Sequence, residues 1–355
     1  MNRAGNEACS FIFLPKKKKT SSAALYANNM LIAIIYVLQI ALRKGYCYYV
    51  TFQCSPAGEW ELKRNTMRFT KMQGCGNDYI YVNCFEEKIS DPSALAVRLS
   101  DRHYGIGSDG LILIEPSAKA DAYMHMFNID GSEGRMCGNG VRCVTKYIYD
   151  HALIHPDRRN AVIDTLSGLK EVSFDVCGER VSSVTVDMGI PQLTGLHTET
   201  VMICGKDIRF TGVDTGNPHA VVFLEDNNVS LEPFSKCETI SGDLRSFLAG
   251  LGIEKPGRAM EQSERFPDGV NTEFICIVSR KEICMRVWER GSGETLACGT
   301  GATASVYAGI MLGRLEKEVL VHLKGGDLVI RYDEQTGRCY MTGPAVEVFT
   351  GDIQI

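Results

Sequence analysis

Two segments of this chain resemble each other, and each carries a cysteine directly before a glycine-rich turn. The first reads Asp130-Gly-Ser-Glu-Gly-Arg-Met-Cys137-Gly-Asn-Gly, and the second reads Arg290-Gly-Ser-Gly-Glu-Thr-Leu-Ala-Cys298-Gly-Thr-Gly. The two cysteines lie 161 positions apart, and a stretch with helical spacing of apolar residues follows each turn. We interpret the pair as a diverged internal repeat, which predicts two similar halves.

The two stretches after the turns predict buried helices. After Gly138, apolar residues recur at helical spacing from Val141 to Ile148. After Gly299, the residues leave hardly any polar face. A helix that is apolar nearly all round must be buried, so we expect a curled, barrel-like sheet around each helix.

Short alternating runs separated by Gly, Asn, Asp and Pro dominate the chain from Met67 onward and predict strands. These runs are Met67–Met72, Tyr79–Asn83, Leu111–Glu115, Ala122–Asn128, Val181–Met188, Ala220–Leu224, Glu273–Val278, Ile283–Glu289 and Glu318–His322. We therefore predict a mixed α/β chain of the α+β class. It has two pseudo-symmetric lobes, and in each a mostly antiparallel, barrel-like sheet wraps around a central helix.

The predicted lobe boundaries follow from these patterns. Lobe 1 covers residues 67–188 and lobe 2 covers residues 189–339, with a hinge near Met188 to Pro191. Residues 340–355 are expected to return to lobe 1 as a final strand. A chain of 355 residues is long enough for two such cores.

Residues 1–66 differ in composition from the rest and form an extension of doubtful status. They carry a net charge of +6, which leaves −11 for the remainder of a chain whose total is −5. The run from Met30 to Leu42 is apolar except for Gln39, but it is shorter than the roughly 20 residues of a membrane span. Three interpretations remain: translation upstream of a start at Met67, a membrane-touching extension, or an export signal.

Charge and cysteine content exclude several classes of protein. A net charge of −5 argues against a general nucleic-acid binder. The 14 cysteines form neither a short-spaced disulfide framework nor a zinc-ligand pattern. We therefore expect reduced thiols, a cytoplasmic location and no metal, with contact to a membrane only if the extension is real.

A Cys-Gly-X-Gly turn at a helix start has a chemical consequence. The first backbone N–H groups of a helix are unpaired and carry partial positive charge, and glycine lets an anionic ligand approach them closely. A cysteine there is expected to have its thiolate stabilised and its pKa lowered. Two such turns facing each other would hold one carboxylate between two sulfurs.

That arrangement suits removal and return of an α-proton. One thiolate would take the proton from one face, while the other thiol delivers a proton to the opposite face. The fixed donors of the helix ends would stabilise the charge that develops on the substrate. A lone cysteine beside a glycine is usually structural, so the inference depends on the matched pair, Cys137 and Cys298.

Further segments resemble, in matching order, the signature motifs of the diaminopimelate epimerases. They are Met72-Gln-Gly-Cys-Gly-Asn-Asp78, Tyr104-Gly-Ile-Gly-Ser-Asp-Gly110, Phe127-Asn-Ile-Asp-Gly-Ser132, Met136-Cys-Gly-Asn-Gly-Val-Arg-Cys143, Gly216-Asn-Pro-His219, Gly269-Val-Asn-Thr-Glu273, Glu289-Arg-Gly-Ser-Gly-Glu-Thr295, Ala297-Cys-Gly-Thr-Gly301 and Met341-Thr-Gly-Pro344. The resemblance covers nearly all of the chain from Met67 to Ile355.

The resemblance implies a homodimeric enzyme that interconverts L,L- and meso-diaminopimelate without a cofactor, on the route to lysine and the peptidoglycan cross-link. It implies Cys137 and Cys298 as the acid/base pair. Substrate contacts would come from the residues of the two turns, from four asparagines and from a Glu-Arg pair: Gly138, Asn139, Gly299, Thr300, Asn77, Asn128, Asn217, Asn271, Glu289 and Arg290. Arg290 would clamp the distal carboxylate, and His219 with Glu289 would tune the cysteines.

Three alternatives stay open from the sequence. A proline racemase-like or hydroxyproline epimerase-like enzyme would share the lobes and the cysteine chemistry, but would not need Arg290 beside Glu289. A phenazine-pathway isomerase of the same fold would not need both cysteines. A binding protein or redox sensor would join Cys137 and Cys298 as a reversible disulfide.

Overall fold

The structure, a computed structural model, describes residues 51–54, 60–63, 66–203, 205–227 and 252–355. The chain divides into two compact units, Met1–Asn65 and Thr66–Ile355. In the first unit, strands β1 (Thr51–Cys54) and β2 (Trp60–Lys63) pair in antiparallel fashion. The apolar run from Met30 to Leu42 lies outside the described residues, so the interpretations of the extension stay predictions.

The second unit is built mainly from strands. In its described part these are β3 (Thr66–Gly74), β4 (Asn77–Asn83), β5 (Gly110–Glu115), β6 (Ala122–Asn128), β7 (Glu133–Gly134), β8 (Asn160–Asp164), β9 (Lys170–Cys177), β10 (Arg180–Gly189), β11 (Gln192–Leu193), β12 (Glu199–Ile203), β13 (Lys206–Asp214), β14 (Pro218–Phe223), β15 (Asn271–Ser279), β16 (Glu282–Glu289), β17 (Gly293–Glu294), β18 (Glu318–Leu323), β19 (Gly326–Asp333), β20 (Arg338–Gly343) and β21 (Val346–Gln354). The helices among the described residues are α1 (Pro92–Ser100), α2 (Gly138–Asp150), α3 (Glu254–Glu261) and α4 (Gly299–Met311), with a 3₁₀ turn at Leu224–Asp226.

The strands pair in the order β21-β3-β4-β5-β6-β8-β9-β10-β20-β19-β18-β16-β15-β14-β13-β12. Most neighbours are antiparallel, but β4–β5, β6–β8, β14–β15 and β16–β18 are parallel. The parallel pairs recur at corresponding places in the two halves. The predicted α+β class is confirmed, and strands dominate it. The division into two lobes stays a prediction, since Thr66–Ile355 forms one compact unit.

The two predicted helices form where the cysteine turns begin them. In α2, Val141, Val144 and Ile148 are fully buried, and in α4 nine of the 13 residues are buried. Burying each such aliphatic side chain contributes roughly 1.5–3 kcal/mol. One cluster of buried apolar residues includes both helices and the inner faces of both halves, so the helices are the centre of the core.

Two further helices were not predicted. Asp91 caps α1 by accepting a hydrogen bond from the N–H of Ala94 at 3.0 Å, and Pro92 occupies the first helical position. The other unpredicted helix, α3, contains Pro256 and Gly257, which are both poor helix formers, so its sequence gives little helical signal.

The last two strands join the halves. β20 pairs with β19 on one side and with β10 on the other, and β21 pairs with β3. The proposed lobe boundary after residue 339 therefore falls inside β20. Within the described residues, no helix combines the length and apolarity that crossing a bilayer requires.

Candidate active site

Each of the two repeated cysteines is the N-cap of a buried helix. Cys137 has extended backbone angles (φ −132°, ψ 118°), and its sulfur accepts a hydrogen bond from the N–H of Gly140 at 3.4 Å. Cys298 adopts nearly the same geometry (φ −124°, ψ 112°), and its sulfur accepts from Gly301 at 3.4 Å. Both sulfurs therefore lie where the helix leaves unpaired N–H groups and partial positive charge.

The two helix starts meet at one methionine. A Cβ added to Gly138 would lie 2.9 Å from the Cε of Met341, and one added to Gly299 would lie 2.7 Å from its Sδ. The side chain of Asn139 also donates to the carbonyl of Ala297, the residue before the second cysteine, at 3.5 Å. Only glycine permits this close approach, and the buried Met341 on β20 separates the two turns.

Behind Cys137 lies a chain of polar contacts. Its thiol donates to Oδ1 of Asn77 at 3.2 Å, and Nδ2 of Asn77 donates to Asp109 at 3.0 Å. Arg102 bridges Asp109 at 2.9 Å and Asp78 at 2.7 Å. Asn77 is thus held in one orientation, with its carbonyl directed at the sulfur.

The two aspartates of this chain titrate differently. Burial and the charge of Asp78 raise the pKa of Asp109. Burial also opposes ionisation of Asp78, but hydrogen bonds from Arg102 and Lys71 hold its pKa below the usual range. Asp78 is therefore the fixed anion of the network.

Cys298 has a hydroxyl group and a carboxylate as neighbours instead of an amide. Its sulfur lies 3.3 Å from Oγ1 of Thr300, and its thiol also interacts with the partly buried Glu289. Glu289 in turn accepts a hydrogen bond from Thr295. Burial raises the pKa of Glu289, and the charge of Glu273 raises it further.

A second group of polar side chains is connected by hydrogen bonds around His219 and Asn271. His219 contacts Glu273 through Nδ1 at 2.7 Å and Oδ1 of Asn217 through Nε2 at 3.0 Å. Glu273 is fully buried, and its second carboxylate oxygen has no hydrogen-bond partner among the described residues. Asn271 donates to the carbonyl of Pro218 at 2.9 Å and accepts from the backbone N–H of Arg290 at 2.9 Å.

The expected lowering of the cysteine pKa values is wrong for this structure. Burial raises the pKa of Cys137, although the N–H groups of Gly140 and Asn139 work in the opposite direction. The pKa of Cys298 lies well above its ordinary value, because of burial and the nearby carboxylates Glu289 and Glu273. The helix ends act as expected, but removal of the sulfurs from water has the larger effect.

Two predicted binding residues make their side-chain hydrogen bonds to neighbouring loop residues. Asn128, at the end of β6, donates to Oγ of Ser132 at 3.0 Å. Arg290 is exposed, and its guanidinium donates to the backbone carbonyl of Asp268 at 3.0 Å. It borders a cavity of about 790 Å³ that Trp288 also lines.

Two residues gain their importance only from the structure. Glu273 and Met341 both lie inside motifs that resemble those of the family, but no role was predicted for either. The only signal was their position in those motifs, since their contacts depend on chain segments far apart in sequence. Among the described residues, no group of three His, Cys, Asp or Glu side chains is arranged to hold a metal ion.

Comparison with solved structures shows the same fold at low sequence identity. A hydroxyproline epimerase from Agrobacterium vitis superposes with a TM-score of 0.59 at 16% identity, over 82% of this chain and 93% of its own. A methylitaconate-delta-isomerase superposes with a TM-score of 0.58 at 14% identity, over 82% and 96%. At these identities the likeness concerns the fold alone.

Comparison of sequences is more specific. The diaminopimelate epimerase from Agathobacter rectalis is 47% identical over 307 residues, which cover 81% of this chain and 100% of the relative. The one from Methanococcus maripaludis strain C5 is 44% identical over 300 residues, with coverage of 81% and 100%. The sequence profile of diaminopimelate epimerase matches residues 69–194 and 211–348. With two cysteine-capped helices meeting at one buried methionine, this chain belongs to the diaminopimelate epimerase family.

Proposed function

We propose that this chain is an isomerase that converts L,L-diaminopimelate to meso-diaminopimelate, a precursor of lysine and of the peptidoglycan cross-link. The observation that carries the proposal is the pair of sulfurs, Cys137 and Cys298, each capping a helix whose first glycine packs against Met341. Two matched acid/base groups at one place are what inversion of a carbon requires.

In the proposed reaction, the thiolate of one cysteine forms an S–H bond as the C–H bond at the α-carbon breaks. The electron pair that is released spreads into the α-carboxylate, which the unpaired N–H groups at the two helix starts stabilise. The thiol of the other cysteine then gives its proton to the opposite face of the carbon. One proton has left the α-carbon and another has arrived on the opposite face, so the centre is inverted and the two sulfurs have exchanged protonation states.

The remaining candidate residues supply binding. The turns Gly138–Asn139 and Gly299–Thr300 receive the reacting end of the substrate. The amides of Asn77, Asn128, Asn217 and Asn271 orient it without adding charge, and Arg290 receives the distal carboxylate. Glu289 takes part in binding and, with His219, in tuning the sulfurs. Asn271 accepts a hydrogen bond from the backbone N–H of Arg290, which supports the placement of Arg290.

Incubation with pure L,L-diaminopimelate in deuterium oxide tests the proposal. We expect deuterium at one α-carbon together with formation of the meso isomer, measured by mass spectrometry and chiral chromatography. L-proline and trans-4-hydroxy-L-proline serve as competing substrates in parallel samples. Turnover of either in place of diaminopimelate would assign the chain to the other epimerase chemistry, and exchange with none of the three would favour a binding protein.

We also propose a cytoplasmic location and a homodimer. A mechanism that needs two thiols side by side requires a reducing compartment. Size-exclusion chromatography with light scattering measures the oligomeric state, and fractionation of the source cells tests the location.

A further inference from the structure

The side chains that pack against Gly140 and Gly301 come from corresponding positions in the two halves, but they differ in chemical type. A Cβ on Gly140 would lie 2.9 Å from Cδ1 of Ile112, whereas a Cβ on Gly301 would lie 2.5 Å from Oε1 of Glu273. On β5, Gly110 pairs with Tyr79, and Ile112 lies two residues further along the strand. On β15, Asn271 pairs with His219, and Glu273 lies two residues further along the strand. A buried carboxylate in one half thus replaces an isoleucine in the other.

A second replacement occurs one turn into each helix. Arg142 on α2 corresponds, at the same offset of 161 positions, to Thr303 on α4. Both are fully buried, but Thr303 is neutral and donates to the carbonyl of Gly299 at 2.9 Å. The half that contains Cys137 therefore has a buried cation, and the half that contains Cys298 has a buried anion.

The guanidinium of Arg142 has no carboxylate partner in the part of the chain that the structure describes. Its Nε donates to the carbonyl of Pro344 at 3.0 Å, and its two terminal nitrogens contact the sulfurs of Met341 and Cys75 at 3.7 Å. A buried charge without an opposite partner is costly unless a nearby group compensates it.

The guanidinium of Arg142 lies close to the Gly138–Asn139 turn that follows Cys137. Side chains in a helix lean towards its N-terminus, and a Cβ added to Gly74 would lie 2.9 Å from Nη2 of Arg142 and 3.3 Å from Asn139. The charge of Arg142 thus faces the turn that holds Cys137. Glu273, with one unpartnered oxygen, has the matching position beneath the turn of Cys298.

We propose that Arg142 and Glu273 are positioning residues that decide which sulfur loses its proton first: Arg142 directs the negative charge of the singly ionised pair to Cys137, and Glu273 keeps Cys298 as the thiol. The inference rests on the proposed function, for which one thiolate and one thiol are needed. The isomer whose α-hydrogen faces Cys137 would then react without a preceding proton shift.

Other charged and titratable groups also act on the sulfurs. Tyr79 on β4, Cys143 on α2 and Glu289 on β16 all interact with Cys137. Glu289 acts on Cys298 as well, and His219 acts on Glu289. Glu289 disfavours ionisation of both sulfurs. The N–H groups of Gly140 and Asn139 and the charge of Arg142 lower the pKa of Cys137, whereas Glu273 raises that of Cys298.

Alkylation of the intact protein by iodoacetamide over a range of pH, with each cysteine quantified by peptide mass spectrometry, tests the proposal. The pH of half-maximal labelling reports the ionisation of a thiol, whereas its accessibility changes only the maximal rate. We expect Arg142→Met to raise the pH of half-maximal labelling of Cys137 by about one unit. At pH values below that midpoint, labelling of Cys137 should be about tenfold slower than in the wild type. We expect Glu273→Gln to lower the corresponding pH for Cys298 by about one unit.

Lys146→Met is the matched control, because Lys146 is a buried cation one turn further along α2 that is already paired with Asp150 at 2.7 Å. The variant Arg142→Lys keeps the charge and should leave the labelling of Cys137 nearly as in the wild type. If Arg142→Met does not fold, Glu273→Gln still tests the proposal through Cys298, since an unchanged half-labelling pH in that variant overturns it.

An unchanged half-labelling pH for Cys137 in folded Arg142→Met, or an equal shift in Lys146→Met, would overturn the proposal. So would an unchanged half-labelling pH for Cys298 in Glu273→Gln. Labelling does not require turnover. Variants that show the expected shifts, together with a wild type that exchanges no deuterium with diaminopimelate, would therefore refute the proposed function but not the effect of Arg142 and Glu273 on the sulfurs.

Discussion

The half of the site around Cys137 and the half around Cys298 have similar backbone geometry but differently charged side chains near the sulfur. Each sulfur caps its helix and accepts an N–H at 3.4 Å, and each following glycine packs against Met341. The side of Cys137 adds an amide and a buried cation, while the side of Cys298 adds two carboxylates.

This difference has a physical meaning for a two-base mechanism. Symmetry of the backbone lets both sulfurs approach one carbon in the same way. Identical surroundings would leave the single negative charge shared equally between them, so unequal surroundings are needed to make one the base and one the acid. A duplicated unit can therefore keep its geometry while its side chains diverge in charge.

The largest effect should come from removing either sulfur. We expect Cys137→Ala and Cys298→Ala each to lower the rate of inversion by at least ~10³-fold, since each removes one of two obligatory proton carriers. The measurement is formation of meso-diaminopimelate from the L,L isomer. Cys177→Ala, at an exposed cysteine, is the control and should be fully active; near-normal activity of either site variant would break the two-sulfur assignment.

A smaller effect should come from the distal end of the substrate, where the halves differ again. Arg290 in one half corresponds to Ile129 in the other, at the same offset of 161 positions. Loss of a charge-assisted contact costs about 1.5–3 kcal/mol, so Arg290→Ala should raise KM by roughly 10–100-fold. The matched variant Ile129→Ala should change KM little, because that side chain is 51% exposed and apolar. Equal defects in steady-state kinetics would contradict an asymmetric clamp.

The pH profile should change when Glu289 loses its charge. The proposed reaction uses Cys298 as the thiol, and the pKa of Cys298 is raised well above the ordinary value, by burial first and by Glu289 second. The falling alkaline limb of kcat/KM should therefore lie at high pH in the wild type. Glu289→Gln should lower the pKa of Cys298 and move that limb to lower pH, by about one unit. Glu282→Gln, on the same strand but paired with His322, is the control; a limb that stays in place in Glu289→Gln would be evidence against this role.

The smallest effect should appear in stability. Gly138→Ala would meet the flexible Cε end of Met341, whereas Gly299→Ala would meet its sulfur at 2.7 Å. Overpacking costs about 1–3 kcal/mol, and we expect the larger loss in the free energy of unfolding for Gly299→Ala. Urea denaturation of each variant, alone and combined with Met341→Ala, gives the coupling energies. Equal losses, or no coupling to Met341, would show that this methionine does not separate the turns.

Local patterns predicted much of the fold. The helices after Gly138 and Gly299 begin where their capping cysteines stand, since a cap and the apolar spacing that follows it act within a few residues. Alternating runs predicted β3, β4, β5, β6, β10, β14, β15, β16 and β18 for the same reason, whereas β8, β9, β12, β13 and β19 were not predicted. The helix at Pro92 could also have been predicted, because Asp91-Pro92 is a helix-start signal.

Other features could not be predicted from local patterns. The sequence predicted a lowered pKa for both cysteines, because it shows the helix start but not how completely the fold excludes water. It also placed Arg290 and Asn128 among the binding residues, but the positions of their side chains depend on Asp268 and Ser132. These contacts arise only when the chain is folded.

By itself, the sequence determined that the protein has two halves, where each cysteine-capped helix begins and which family the chain resembles. The tertiary structure decided that Met341 lies between the two turns, that Glu273 lies beneath one of them and that Arg142 is buried beside the other. The physical reason is the separation along the chain over which each interaction acts. Capping and periodicity act between neighbours in the chain, whereas burial and charge depend on strands brought together across more than a hundred residues.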